Sequence, residues 1–490
     1  MINDVLGVEA RTEKSLDGPR DPDRNPVLFW NDVALGLAAL DSSVEEPEVK
    51  AAGPVATARA LGLVQAVVAD ATRLARPREA RWEPFRGNVR VDGQIGEPGL
   101  FIGGAAAAIL RHIYNGAEHL DFINRRQAAF LRAQRRDDRG DFARGERFGS
   151  DNTYRREWNY GELFPLLNRR DTTYRPGPRQ HNLDPFNTDQ GFYGQRWAEA
   201  PPFVLNRDEV GRDGIAPPPP PAEGTDRYER DVEDVRARGV LHGTAQDPMR
   251  TREQEDVGLF WAYDGANLIG TPPRLYNQIV VEIAQHDRMS DVELARLLAL
   301  CNLAMADAGI VTWRAKYKYA VWRPVLGVRD RLDPGRSDPD WTPLGSPKTN
   351  RTNFEAAGPP ASPDPQYSLA AFTPNFPAYP SGHATFGAAC FDVLRRVRAE
   401  RQPTREKPDD LGRQREGFVS DELNGVSIDN FQNRRRPLRP QRFETISQMI
   451  DENNESRVWL GVHWRFDADE GAVSGMAVAR TVHGRALRRT

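Results

Sequence analysis

Cysteine and histidine spacing of the zinc type is missing from this 490-residue chain, and cysteine itself nearly so. The two present, Cys301 and Cys390, each lie inside an apolar run of helical composition. They read as buried free thiols and exclude a disulfide framework. Lysine is also scarce. Only six of the 67 Lys and Arg residues are Lys, and two of those, Lys316 and Lys318, fall within three positions of each other. A formal net charge of −3 gives no reason to expect nucleic acid or an anionic membrane as partner. No uninterrupted apolar stretch approaches the ~18 residues that span a bilayer. Residues 1–24 lack an apolar core followed by a small-residue cleavage site, so no classical signal peptide is visible. The expectation is a soluble protein, cytoplasmic or secreted by a non-classical route.

What is present is helical patterning. A polar arm over residues 1–25 precedes an amphipathic stretch at 26–40 and a more buried one at 54–74, both opening on Pro. Residues 76–99 are broken by Pro and Gly. One or two helices follow at 100–134, where Gly103, Gly104 and several Ala allow close packing. From 135 to 224 the pattern fades into an Arg-, Asp-, Gly- and Pro-rich excursion that ends in the polyproline run 217–221. Helical periodicity then returns at 227–240, 252–263, 274–286 and 290–308. After a loop at 332–377 it resumes at 384–394, 442–460 and 467–487. Alternation of the β type is scarce outside 88–94. The fold class is therefore all-α, a large helical protein built on two four-helix-bundle-like cores, divided at about 26–224 and 225–490.

Three segments carry residues that packing does not require. In Pro380-Ser381-Gly382-His383, Pro380 suits a first helical turn, Ser381 and Gly382 sit where free N–H groups favour an anion, and His383 can exchange a proton near neutral pH. An ordinary helix cap has the same local sequence. The second segment, 313–324, holds Lys316 and Arg323, seven apart and so on one face if helical. In the third, 456–467, Arg457 and His463 flank an apolar run. Two guanidinium forks and an ammonium converging on one point would be unstable without a multiply charged oxyanion.

The joint order Lys-x6-Arg-Pro, Pro-Ser-Gly-His and Ser-Arg-x5-His-x3-Asp resembles the signature of the vanadium-dependent haloperoxidases and the type 2 phosphatidic-acid and acid phosphatases. The vanadium chloroperoxidases of fungal type are the nearest likeness. It extends to Leu28-Phe29-Trp30-Asn31, Ala58-Arg59-Ala60-Leu61-Gly62, the run 260–274 and Glu422-Leu423-Asn424-Gly425. Residues 135–224 and those after Asp469 match poorly.

The resemblance implies a vanadate cofactor, orthovanadate in the V(V) state, attached through His463. Lys316, Arg323, Ser381, the Gly382 N–H and Arg457 would neutralise its oxygens, and His383 would serve the apical oxygen as acid and base. Asp264 would pair with Arg457, and Asp467 would support His463. Phosphate, isosteric with vanadate, can take the same place. The implied activity is oxidation of chloride, and bromide, by hydrogen peroxide to hypohalous acid through a side-on peroxo-vanadate. Lys316 would polarise the peroxide, and Trp313 and Phe376 would form a halide pocket of chloroperoxidase type, although plain core packing also accounts for two such aromatics. The alternative within the superfamily is an acid phosphatase with His463 as nucleophile. A phosphate-binding scaffold would need neither His383 nor His463. The organic acceptor and the oligomeric state are not legible.

Overall fold

Most helices of this protein begin where Pro, or a side chain that accepts from the backbone, takes up the orphan N–H groups of a first turn. In the computed structural model, which describes residues 25–43, 49–87, 89–134, 139–158, 174–242, 247–330, 337–347, 373–401, 408–412, 417–429 and 434–490, fourteen helices follow one another. They are α1 (Pro26–Asp41), α2 (Pro54–Ala75), α3 (Pro98–Ile113), α4 (Ala117–Ala133), α5 (Gly140–Gly149), α6 (Asn152–Trp158) and α7 (Asp226–Arg238). Then come α8 (Arg252–Phe260), α9 (Pro272–His286), α10 (Asp291–Tyr319), α11 (Pro324–Gly327), α12 (Gly382–Arg401), α13 (Ile446–Trp459) and α14 (Arg465–Arg485). The only paired strands among the described residues are β1 (Ile428–Asp429) and β2 (Arg434–Arg435), so the all-α expectation holds. The N-terminal arm lies almost wholly outside the described residues.

The organising element is α10. A capping box of Ser290 and Glu293 starts it, and Ala320 in the left-handed region ends it. It packs on α2 on one side and on α12 and α14 on the other. One apolar core runs through these contacts from Val27 to Leu487, without a break at residue 225. By length and apolar composition alone, α2 and α10 could cross a membrane, although neither is an uninterrupted apolar run. The apolar 18-residue window of each is wholly buried inside the helical body, which accounts for its composition.

Three of the differences from the sequence reading change the local picture most. The excursion 135–224 is not uniformly irregular: α5 and α6 lie in it, because small residues let α5 touch α3 backbone to backbone. A Cβ on Gly145 would stand 2.0 Å from the Phe101 carbonyl oxygen. Next, α10 runs eleven residues past 308 and carries Trp313 and Lys316, but it stops before Arg323. Lys316 and Arg323 therefore do not share a helix face. Finally, Pro380 is not in a first turn. It follows a cis Tyr379–Pro380 bond, and α12 starts at Gly382.

Candidate active site

The N-terminal end of α12 is pinned by glycines on α14. Cβ atoms at Gly471 and Gly475 would come within 2.9 Å of the Ser381 carbonyl oxygen and 2.3 Å of that of Thr385. The Ser381 N–H also donates to the Asp467 carbonyl (2.8 Å). These contacts hold the first turn of α12 against the start of α14, directly after the loop that carries His463.

Around that point the cations converge. Arg323, just before α11, donates to the carbonyls of Phe376 (2.9 Å) and Val462 (2.8 Å), and its Nη1 lies 2.8 Å from His463 Nε2. His463 Nδ1 is 2.9 Å from Asp467 Oδ2, which also accepts the Trp464 N–H (3.0 Å). His463 and Asp467 share a proton along this contact, and Nε2 carries the lone pair that accepts from Arg323 Nη1. Arg457, near the end of α13, donates through Nη2 to Asp264 Oδ2 (2.7 Å), and Ser346 hydroxyl donates to the same oxygen. His383 Nε2 sits 2.6 Å from the Ala262 carbonyl, which leaves Nδ1 as its acceptor nitrogen. Its own carbonyl takes bonds from Tyr276 Oη (3.1 Å) and Asn453 Nδ2 (2.9 Å).

Lys316 differs from the expected geometry. All three of its N–H bonds go to carbonyls, those of Pro377 (2.7 Å), Ala378 (2.9 Å) and Pro380 (2.6 Å). Its charge reaches the cage, but a hydrogen bond to anything bound there requires one of these to be released. Trp313 and Phe376 pack beside it, tilted at 51° with centroids 4.8 Å apart. Phe376 lies 5.1 Å from Lys316 Nζ and 5.0 Å from the Arg323 guanidinium, a double cation–π contact.

Most of these groups are buried, and burial shifts Arg323, Lys316, His383, His463 and Asp467. It lowers Arg323 to about 9 and Lys316 well below its ordinary value. His383 is held at about 3 by burial and then by Arg457, so its ring is neutral at neutral pH. Burial also pushes Asp467 up to about 8 and His463 well down. Asp264 goes the other way: against the burial that raises it, Arg457 and His383 keep it below the usual carboxylate range.

Three buried guanidinium nitrogens, Arg323 Nη2 and Arg457 Nε and Nη1, have no protein partner. Buried charged donors are costly to leave unpaired, so this arrangement is built to receive oxygen acceptors. Residues 296–490 match the family model described as the second helical-bundle domain of vanadium chloroperoxidase. The chain is 31% identical to the vanadium chloroperoxidase of Curvularia inaequalis, over 92% of this chain and 80% of that one. The chain belongs to the vanadium haloperoxidase family. Its match runs to residue 490, so the sequence after Asp469 fits the family better than its residues alone indicated.

Two solved structures share the haloperoxidase fold. A bacterial vanadium-dependent iodoperoxidase superposes with a TM-score of 0.66 at 19% identity, covering 95% of this chain and 97% of its own. A holo-type bacterial vanadium-dependent chloroperoxidase gives 0.58 at 14%, covering 90% and 94%. Vanadate suits these residues in charge and donor type: Arg323 and Arg457 have unpaired buried donors, Lys316 adds charge, and His463 Nε2 lies against Arg323. Sequence reasoning missed Ser346, Ala262 and the Tyr276–Asn453 pair. Ala262 lies inside the family-like run 260–274 and Tyr276 just after it, but a backbone carbonyl such as that of Ala262 leaves no residue-type signal.

Proposed function

We propose that this protein is a vanadate-dependent haloperoxidase that oxidises chloride, and bromide, with hydrogen peroxide to hypohalous acid. The unpaired guanidinium donors of Arg323 and Arg457 beside the Nε2 lone pair of His463 carry this reading. His463 would hold the metal. Arg323, Arg457, Lys316, Ser381 and the Gly382 N–H would hold the vanadate oxygens. Bound vanadate supplies a Lewis-acidic V(V) centre that activates peroxide without changing oxidation state. Phosphate has the same shape and charge and would compete for the cage.

The protein's own groups do the rest. Neutral His383 offers Nδ1 to accept a proton from incoming peroxide and to return it when the hypohalous product leaves. Asp264 keeps the Arg457 fork directed, and Asp467 fixes the His463 tautomer. Lys316 contributes charge, and a hydrogen bond only after releasing a carbonyl. Trp313 and Phe376 give the halide an apolar approach that excludes water. The reading of chloride as a substrate rests on the likeness to the Curvularia chloroperoxidase.

Reconstitution with orthovanadate tests this. Chlorination or bromination of a 1,3-diketone should require both vanadate and peroxide and be inhibited by phosphate. His463→Ala should lose bound vanadium by elemental analysis. Robust p-nitrophenyl phosphate hydrolysis with no halogenation at any vanadate concentration would instead assign an acid phosphatase.

A further inference from the structure

Asp264 has no helix to aim its carboxylate. It lies in the turn between α8 and α9, flanked by Tyr263 at φ +38° and Gly265 at φ +91°. The Gly265 N–H closes the turn on the Gly270 carbonyl (2.9 Å), and a Cβ on Gly265 would meet nothing within 4 Å. Packing on that side does not brace the turn, so the carboxylate takes its direction from its own partners. Three elements supply them. Arg457 of α13 donates to Oδ2 (2.7 Å), and His383 of α12 stands with Nε2 3.8 Å from Oδ1. From the segment 337–347, the Ser346 hydroxyl also donates to Oδ2.

Ser346 lies in none of the three segments that carry the signature residues, yet it is buried. Its own segment is fastened to the loop that bears His463. The Gly345 N–H donates to the Leu460 carbonyl (2.7 Å), and the Leu344 N–H to that of Gly239 (2.8 Å). Gly239 backs on Gly461, where a Cβ would stand 2.5 Å from the Gly239 carbonyl oxygen. The hydroxyl thus ties Asp264 to backbone that is fixed relative to His463. Burial raises the Asp264 carboxyl, but Arg457, His383 and then the Ser346 bond bring it below the usual carboxylate range. An ionised carboxylate only accepts, so the hydroxyl is the donor. With Arg457 and Ser346 both on Oδ2, the two lone pairs of that oxygen are taken and Oδ1 is left towards His383. Without the hydroxyl the carboxylate can turn about its Cβ–Cγ bond. The Arg457 fork, whose Nε and Nη1 have no protein partner, then turns with it.

We propose that Ser346 is a positioning residue: it fixes the Asp264 carboxylate so that the Arg457 fork presents its two free nitrogens to a bound oxyanion. This rests on the haloperoxidase reading, and orthovanadate is the probe. By calorimetry on the cofactor-free protein, Ser346→Ala should bind orthovanadate about three- to tenfold more weakly than wild type. In an Asp264→Asn background the same substitution should change the affinity less than about twofold, because the hydroxyl acts through the carboxylate. Ser346→Thr keeps a hydroxyl and should stay within about twofold of wild type. If Ser346→Ala does not fold, Ser346→Cys, which keeps the size with a weaker donor, should show a loss of the same sign and decides in its place. Wild-type affinity in the folded variant would overturn the proposal. So would an equal loss with and without the Asp264 carboxylate, or a Ser346→Thr protein that binds no more tightly than Ser346→Ala. A wild-type protein that binds no orthovanadate would overturn the haloperoxidase reading itself, a result distinct from tight wild-type binding with an indifferent Ser346.

Discussion

Arg457 has one protein partner for its guanidinium, Asp264, and two nitrogens left for something else. At this scale the site is a problem of paired and unpaired charge. Removing Asp264 leaves a fully buried cation uncompensated and frees its fork to turn, so two losses should appear together. Asp264→Asn should cost on the order of 3–5 kcal/mol, the usual penalty for breaking a buried pair, and lower the thermal midpoint. It should also weaken orthovanadate binding more than tenfold by calorimetry. Retained affinity would show that Arg457 is directed by its backbone alone. Phe376 is the second residue to test. It sits against both Lys316 and Arg323, so Phe376→His replaces an apolar, cation-facing ring with a polar one. The bromide-to-chloride ratio of kcat/KM should rise; a constant ratio would mean that this position does not set halide preference.

At the level of elements, close helix contacts place the site, and glycine permits them. The contact of α3 with α5 has the Gly104 position against the Phe142 carbonyl and Gly145 against that of Phe101. A methyl at either cannot be absorbed by a side-chain movement, because the opposing atoms are backbone. Gly145→Ala should therefore push α5 away from α3 and lower the melting temperature, with vanadate affinity kept because both helices lie remote from α12. Gly475→Ala makes the same clash against the Thr385 carbonyl of α12 and should lower both. Equal effects on vanadate binding from the two substitutions would disconnect the packing of α12 and α14 from the cage.

Across the whole molecule, charge clusters tie the far ends of the long helices. Glu400, near the C-terminal end of α12, pairs with Arg296 of α10 (2.8 Å) and His483 of α14 (2.9 Å). Against the burial that raises it, His483 and Arg296 hold its carboxyl down at about 2, below its ordinary 4.5. A folded-state pKa lowered in this way contributes stability that is complete above about 4.5 and is lost as the pH falls towards 2. Acid denaturation followed by circular dichroism should be less steep over that window for Glu400→Gln, and the variant should be less stable at neutral pH. An identical acid limb would show that the cluster does not hold the helix ends.

How much of this was legible depends on whether the signal was local. Helix composition, the Pro and capping starts, and the residue types of the cage are local, and they specified an all-α chain with Lys316, Arg323, Ser381, Gly382, His383, Arg457 and His463 as a set. The pairing of Asp264 with Arg457, 193 residues apart, was legible only through family likeness. Tertiary structure alone decided the rest. It ended α10 before Arg323, gave the three donors of Lys316 to the carbonyls of the segment leading into α12, and joined His181 to the Ala320 carbonyl beyond the end of α10. Each of those depends on where distant backbone lies, and a carbonyl or a helix end at a given point in space has no residue type by which the sequence could announce it.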